Sequence, residues 1–302
     1  MEKMKETLYL FSGAGNQFVV LDGRRGGMDE FRQAARIGQL CRQYNTDGLM
    51  ILALDPEADF VMEFYNPDGS GGMMCGNGGR CIVAFADYLG LRPAAADGTW
   101  LFRAPDGMHT ATVLPEGGDL PDASLRDPSH KWAPPSYEAE GGHSIGEVSP
   151  LRKWTVRLKM IDVHGVEKAG DGWFLNTGTR HYVQFVPDVD ALDMERDAKP
   201  IRWDPAFQPE GTNVNLVQET PEGLKVRTFE KGVEGETLAC GTGLTASAIA
   251  ACRQGIPGQA GQASYRLQCR RGDWLQVDFV PGADSRFTDV FLTGPAELVA
   301  IL

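Results

Sequence analysis

Two short runs in the chain hold residue types suited to proton chemistry. They are Cys75-Gly76-Asn77-Gly78 and Cys240-Gly241-Thr242-Gly243. Each sets a thiol just before small residues, and each leads into an apolar stretch: Ile82, Val83, Ala84, Phe85 and Ala86 after the first, Leu244, Ala246, Ala248, Ile249, Ala250 and Ala251 after the second. A helix apolar on nearly every side belongs in a core, so only its N-terminus is left to face outward. The N–H groups of a first helical turn lack intrahelical partners, and the helix dipole favours negative charge there. Glycines let a ligand approach the backbone. Such a turn can hold an anion, for example an amino acid's α-carboxylate, and the same field draws the adjacent cysteine toward its reactive thiolate form.

Two such turns define a reaction. One thiolate removes the α-hydrogen of an amino acid, the other thiol delivers a proton to the opposite face, and configuration inverts. That hydrogen is a very weak acid, so donors aimed at the carboxylate must stabilise the carbanion, and exclusion of water strengthens them. Cys41, Cys81, Cys252 and Cys269 lack this setting and are expected to act as small hydrophobes. No metal is expected: five residues separate Cys75 from Cys81, wider than zinc-ligand spacing, and no Cys/His pair completes a set of four. A Cys75–Cys240 disulfide would be an oxidised, inactive form. Gly13-Ala14-Gly15 lacks the third glycine of a dinucleotide fingerprint, and no Gly-Lys-Ser/Thr loop is present.

Strands are predicted at Thr7–Phe11, Phe18–Leu21, Leu49–Leu54, Phe60–Tyr65, Trp100–Arg103 and His109–Leu114. Helices are predicted at Phe31–Tyr44 and Cys81–Leu89, the latter stopped by Gly90. In the second half the strands are Trp154–Met160, Gly172–Asn176, Tyr182–Val186, Asn213–Val217 and Leu224–Phe229. A helix spans Thr245–Cys252, ended by Gly255 and Pro257, and two or three closing strands end in Glu297–Leu302. The halves match in order: Gly15-Asn16-Gln17-Phe18 with Gly178-Thr179-Arg180-His181, Asn45-Thr46-Asp47-Gly48 with Gly211-Thr212-Asn213-Val214, Glu63–Asn66 with Arg227–Glu230, and the two cysteine turns. Four matches in one order indicate an internal duplication, with a site in the cleft between two lobes. The lobes are drawn as residues 1–120 plus the last strand, 295–302, and residues 121–294, with Asp127–Ser149 as a surface excursion.

The chain has 302 residues, 42% of them hydrophobic, and a net charge of -12. That length gives one large domain or two ordinary ones. The acidic balance argues against nucleic acid or anionic membranes as partners. No apolar run reaches the roughly 20 residues of a membrane span, and no signal-peptide core precedes Phe11, so a cytoplasmic protein is expected.

Several of these runs resemble signatures of one family. Tyr65–Ser70 followed by Met74–Cys81, and Gly235-Glu236-Thr237-Leu238-Ala239-Cys240-Gly241-Thr242-Gly243, are similar to the two cysteine signatures of the diaminopimelate epimerases. Gly13–Phe18, Asn213-Val214-Asn215 and Thr293–Ala296 also fit. The resemblance runs from about residue 8 to the C-terminus. It implies an α/β (α+β) fold of two pseudo-symmetric lobes, each of mostly antiparallel strands wrapped around a central helix. It implies interconversion of LL- and meso-diaminopimelate without pyridoxal phosphate or any other cofactor, and a homodimer. It makes Cys75 and Cys240 the acid–base pair, assisted by Glu230 and His181. It places Gly76, Asn77, Gly241 and Thr242 at the reacting carboxylate, and Asn16, Asn66, Asn213, Thr179 and Lys231 on the rest of the substrate.

The chain departs from the family at Thr179-Arg180-His181, where Asn-Pro-His is usual, and at Lys231, where Arg is usual. Lys is a point charge rather than a fork, and Arg180 is the candidate to replace that fork on the distal carboxylate. Glu234 adds a residue before Gly235, and the turn at Asn45–Gly48 is shorter than the family's. Two other functions fit the same residues less well. Proline racemases and hydroxyproline epimerases place His where Asn77 stands, and a non-catalytic amino-acid-binding protein would not need both thiols.

Overall fold

A computed structural model describes residues 6–72, 75–115, 150–258 and 263–302. Contacts divide these into two compact units. The first holds the described residues up to 115, 150–158 and Pro295–Leu302, and the second holds Lys159–Gly294. The lobe junction placed near residue 120 and the Asp127–Ser149 excursion lie outside the described residues. Residues 150–158 fall in the first unit, although the sequence division gave them to the second lobe. The reason is pairing: β7 (Arg152–Lys159) runs antiparallel to β6 (Gly107–Leu114), with Ala111 opposite Leu158.

The first unit begins with β1 (Tyr9–Gly13) and β2 (Asn16–Asp22), joined by a two-residue turn at Ala14 and Gly15, both at positive φ. That backbone twist matches an antiparallel hairpin. After α1 (Ala34–Tyr44), β3 (Gly48–Ala53) pairs parallel with β2 and antiparallel with β4 (Phe60–Tyr65). Then α2 (Gly76–Tyr88) leads to β5 (Thr99–Ala104), parallel to β4 and hairpinned to β6. The predicted helix at Phe31–Tyr44 is two pieces. A short 3-10 turn, Asp29–Arg32, precedes α1, and Gln33 between them is extended at ψ 129.

The second unit repeats the scheme. Short strands β8 (Val163–His164) and β9 (Glu167–Ala169) precede β10 (Gly172–Asn176) and β11 (Arg180–Phe185), an antiparallel hairpin. Two single-turn helices follow, α3 (Met194–Asp197) and α4 (Lys199–Arg202). Then β12 (Asn213–Thr220) runs parallel to β11 and antiparallel to β13 (Gly223–Glu230). After the short β14 (Gly235–Thr237), α5 (Gly241–Gln254) leads to β15 (Ser264–Gln268), parallel to β13 and hairpinned to β16 (Trp274–Pro281). The last strand, β17 (Arg286–Ile301), pairs with β16 through residues of the second unit and with β1 through residues of the first.

The register makes the duplication exact enough to align. Phe18 sits opposite Gly48 as His181 sits opposite Asn213, and Phe60 opposite Phe102 as Leu224 opposite Leu267. Gly48 therefore corresponds to Asn213, and the match of Asn45–Gly48 with Gly211–Val214 is one residue out of step. The loop at Thr177–Thr179 carries one residue more than its counterpart at Ala14-Gly15, which loosens that alignment.

Each unit has two apolar layers, because strand side chains alternate. In the first, Leu10, Val19, Leu21, Leu49 and Ile51 pack with Ile37, Leu40 and Cys41 of α1. The opposite parity, including Met50 and Met62, lies against α2 at Gly78. Phe85 of α2 meets Phe11 edge-on at 5.6 Å, and Phe11 meets Trp154 at 5.8 Å. In the second unit Tyr182, Val214, Leu216 and Phe229 pack on Met194, Ala198 and Phe207, and the opposite parity faces α5. Every residue from Gly76 to Ala86 of α2 is buried, and so is every residue from Gly243 to Ala251 of α5. Among the described residues no helix is long and apolar enough to cross a membrane.

Gly13 shows how tightly the first hairpin meets α2. A Cβ there would lie 2.7 Å from the Asn77 carbonyl oxygen and 3.0 Å from Cys81 Sγ. Gly13→Ala should therefore lower stability by about 1–3 kcal/mol. Gly71→Ala, where a Cβ meets nothing within 4 Å, should stay within about 0.5 kcal/mol. Urea midpoints of the two variants check the contrast.

Candidate functional site

Both cysteines are the N-cap residues of the buried helices. Cys75 is extended (φ -101, ψ 149), and its Sγ accepts a hydrogen bond from the Gly78 N–H at 3.2 Å. Cys240 is also extended (φ -124, ψ 106), but its side chain makes no cap bond; its Sγ lies 3.4 Å from Thr242 Oγ1 instead. Both helices start several residues earlier than the apolar runs predicted. Glycine is a poor helix former, so Gly76, Gly78 and Gly79 conceal the first turn of α2, which burial nonetheless imposes.

In the first unit a chain of amides lies under the Cys75 turn. Arg80 Nη2 donates to Asn77 Oδ1 at 2.9 Å, and Asn77 Nδ2 donates to Asn16 Oδ1 at 2.5 Å. The Arg80 bond fixes which way the Asn77 amide points. Arg80 is fully buried, and its guanidinium also donates to the Gly76 and Pro295 carbonyls. Asn66 is occupied elsewhere, its Nδ2 donating to Ser70 Oγ in the turn after β4.

In the second unit the corresponding loops carry hydroxyls. Thr179 Oγ1 lies 3.0 Å from Thr242 Oγ1, the counterpart of the Asn16–Asn77 contact. His181, completely buried, touches Thr179 Oγ1 at 2.9 Å and Thr242 Oγ1 at 3.0 Å through Nε2, and Asn215 Oδ1 at 2.8 Å through Nδ1. Thr177 Oγ1 donates to the Thr242 carbonyl. Asn213 takes the Lys231 N–H on its Oδ1 and donates through Nδ2 to Thr179 Oγ1 and the Arg180 carbonyl. Glu230 ends β13, half-buried, one residue before Lys231. Lys231 Nζ donates to the Glu210 carbonyl, and Arg180 pairs with the Glu210 carboxylate at 2.8 Å.

Thus the structure joins Asn16, Asn77 and Cys75 around one helix turn, and His181, Thr179, Thr242, Asn213 and Cys240 around the other. Gly76 and Gly241 are the first residues of those turns. Arg80, Asn215 and Thr228 join these networks without having been singled out as site residues. Arg80 lies inside the cysteine signature, and Asn215 follows Asn213 at the strand period, so both had a signal. Of the remaining cysteines, Cys41, Cys81 and Cys269 are buried. Burial raises the Cys41 and Cys81 thiols and pushes that of Cys269 up to about 12.

A sequence profile described as diaminopimelate epimerase matches residues 8–119 and 173–278. A diaminopimelate epimerase of Flavobacterium psychrophilum is 34% identical over 97% of this chain and 97% of its own length. The chain belongs to the diaminopimelate epimerase family. Its fold extends to more distant proteins. A phenazine biosynthesis protein of the PhzF family from Bacillus anthracis superposes with a TM-score of 0.69 at 10% identity, covering 99% of both chains. A hydroxyproline epimerase from Agrobacterium vitis gives 0.58 at 14%, covering 100% of this chain and 92% of that one. The two-unit, strand-rich α/β fold is thus shared with proteins of other names, while the sequence signatures align this chain with the diaminopimelate epimerase family.

Burial drives His181 down to about 4 from its ordinary 6.5, against the opposing Asn215 hydrogen bond. The folded state therefore disfavours the imidazolium. Its contribution to stability is complete above about pH 6.5 and drains as pH falls toward 4, by up to about 1.4 kcal/mol per pH unit. His181→Gln should flatten the fall in urea midpoint between pH 7 and pH 5 relative to the parent chain. An equally steep fall in the variant would refute a neutral buried His181.

Proposed function

We propose that this chain is an isomerase that epimerises LL-2,6-diaminopimelate to the meso form, in lysine and peptidoglycan-precursor synthesis, with Cys75 and Cys240 as its acid and base. The observation that carries this reading is a cysteine at the N-cap of a buried helix in each unit of a chain belonging to this family. One sulfur, as thiolate, takes the α-proton; the other, as thiol, returns a proton to the opposite face of the same carbon. The carbanion between these steps is stabilised at its carboxylate by the first-turn N–H groups about Gly76, Asn77, Gly241 and Thr242, where helix dipoles favour negative charge. A sulfur that accepts a backbone N–H, as Cys75 does from Gly78, is favoured as thiolate.

Asn16, Asn66, Asn213 and Thr179 hold the rest of the substrate in this account, and Glu230 and His181 assist at the reacting centre. Two cations, Lys231 and Arg180, meet at Glu210. An exposed pair such as Arg180–Glu210 contributes little stability, so a substrate carboxylate can replace Glu210 on the Arg180 fork. We assign the two compact units to the two functional lobes, and the protein to the cytoplasm as a homodimer of 32.9 kDa chains.

Cys75→Ala and Cys240→Ala should each lower net inversion by about 10²- to 10⁴-fold, the usual contribution of a general acid–base group, with the circular dichroism of the parent. Full turnover by either variant would end the two-cysteine mechanism. Turnover of proline instead of diaminopimelate by the parent would replace the substrate. Arg180→Ala should raise the Michaelis constant for diaminopimelate several-fold; an unchanged value assigns the distal end to Lys231 alone.

A further inference from the structure

Two hydroxyls behind Cys240 must serve both a buried imidazole nitrogen and the sulfur, and this has a consequence for the thiol. Asn215 Nδ2 donates to Thr228 Oγ1 at 2.9 Å, which turns its Oδ1 toward His181 Nδ1. The proton on the ring is then on Nδ1, and Nε2 is left with one lone pair. Two hydroxyls lie within reach of that lone pair, Thr179 Oγ1 at 2.9 Å and Thr242 Oγ1 at 3.0 Å, and they lie 3.0 Å from each other. Thr179 Oγ1 already accepts from Asn213 Nδ2, whose amide is oriented by the Lys231 N–H. Thr242 Oγ1 is also 3.4 Å from Cys240 Sγ.

We infer that Asn215, braced by Thr228, is a positioning residue for Cys240: it holds His181 in the tautomer that leaves Nε2 an acceptor, so that the Thr179 and Thr242 hydroxyls alternate on it as Cys240 gains and loses its proton. The inference rests on Cys240 being an acid–base group. With Cys240 as thiol, S–H donates to Thr242 Oγ1, Thr242 O–H donates to Nε2, and Thr179 O–H donates to Thr242 Oγ1. When the S–H proton passes to the substrate α-carbon, Thr242 turns its O–H to the thiolate. Thr179 then turns its own O–H to Nε2. Only the S–H bond breaks and only a C–H bond forms; the hydroxyls rotate and keep their protons.

The exchange matters because His181 and Asn215 are both fully buried. A buried lone pair without a donor is costly, and Nε2 would be stranded each time Thr242 served the sulfur if Thr179 were absent. Helix α5 packs closely on both side chains at Gly243. A Cβ on Gly243 would lie 2.4 Å from Asn215 Nδ2 and 3.3 Å from His181 Cε1. Neutral His181, held so by burial, is the state this requires.

Two measurements on the full chain test the inference, and neither needs turnover. In protein labelled with ¹⁵N histidine, one of five in the chain, the His181 ring should be in the Nδ1–H form. Asn215→Leu should lose that exclusive tautomer and Asn215→Asp, which keeps an acceptor, should retain it. In a Cys75→Ala background, iodoacetamide should alkylate Cys240 about 3- to 10-fold more slowly in Thr179→Val, the effect of one hydrogen bond. Thr179→Ser should restore the rate to within about 2-fold. Thr179 is exposed, so its variants test the idea even if Asn215→Leu fails to fold. An Nε2–H ring in the parent, or a parental alkylation rate in Thr179→Val, would overturn the inference. A Cys240→Ala enzyme with normal turnover alongside the expected tautomer and rates would instead refute the role of Cys240.

Discussion

A helix sunk in a core on every side can offer chemistry at one place, its first turn. That constraint governs both units. The apolar runs of α2 and α5 leave no solvated face, so the N–H groups of their first turns are the part that can meet a ligand. Each N-cap is a cysteine, set where the helix dipole favours negative charge. The surrounding strands serve this arrangement: residues of one parity pack an outer apolar layer, while the other parity supplies either Met50 and Met62 beneath α2 or His181, Asn215 and Thr228 beneath α5.

Duplication gave two copies of this turn, and the copies have diverged in what meets the sulfur. Cys75 Sγ accepts a backbone N–H, and the turn beside it carries a pair of bonded asparagines, the amide of Asn77 oriented by a buried guanidinium. Around Cys240 stand hydroxyls backed by a buried imidazole. A backbone donor is fixed in place, whereas a hydroxyl can be donor or acceptor as its neighbour requires. In the proposed reaction one sulfur must be deprotonated while the other is not, and unlike surroundings are a way to set two such groups apart.

The sequence made much of this legible because glycine spacing and apolar runs are local signals. The strand at Phe60–Tyr65 has the same limits in the structure, as does Gly172–Asn176. The turns at Cys75 and Cys240 were evident from their repetition. What escaped notice depends on contacts between distant segments. The helices begin at Gly76 and Gly241 because burial overrides poor propensity. The break at Gln33 is invisible in a continuous amphipathic pattern. Residues 150–158 join the first unit because β7 finds β6 and β17. Arg80 looks like a surface residue by type, and its place inside the cysteine signature does not announce that it pairs with Asn77 and the Pro295 carbonyl. The depth of His181 was equally hidden: its ring is wholly buried, and the Thr242 hydroxyl lies between its Nε2 and Cys240 Sγ.

The claim on which the account turns is that two different sulfurs handle the proton on one carbon. Its most direct test is the early-time distribution of label when LL-diaminopimelate is turned over in deuterium oxide. With separate donor and acceptor, the meso product should carry one deuterium at the inverted carbon while recovered LL substrate carries almost none. Substrate that gains deuterium as fast as product forms would mean that a single group removes and returns the proton, and would contradict the account.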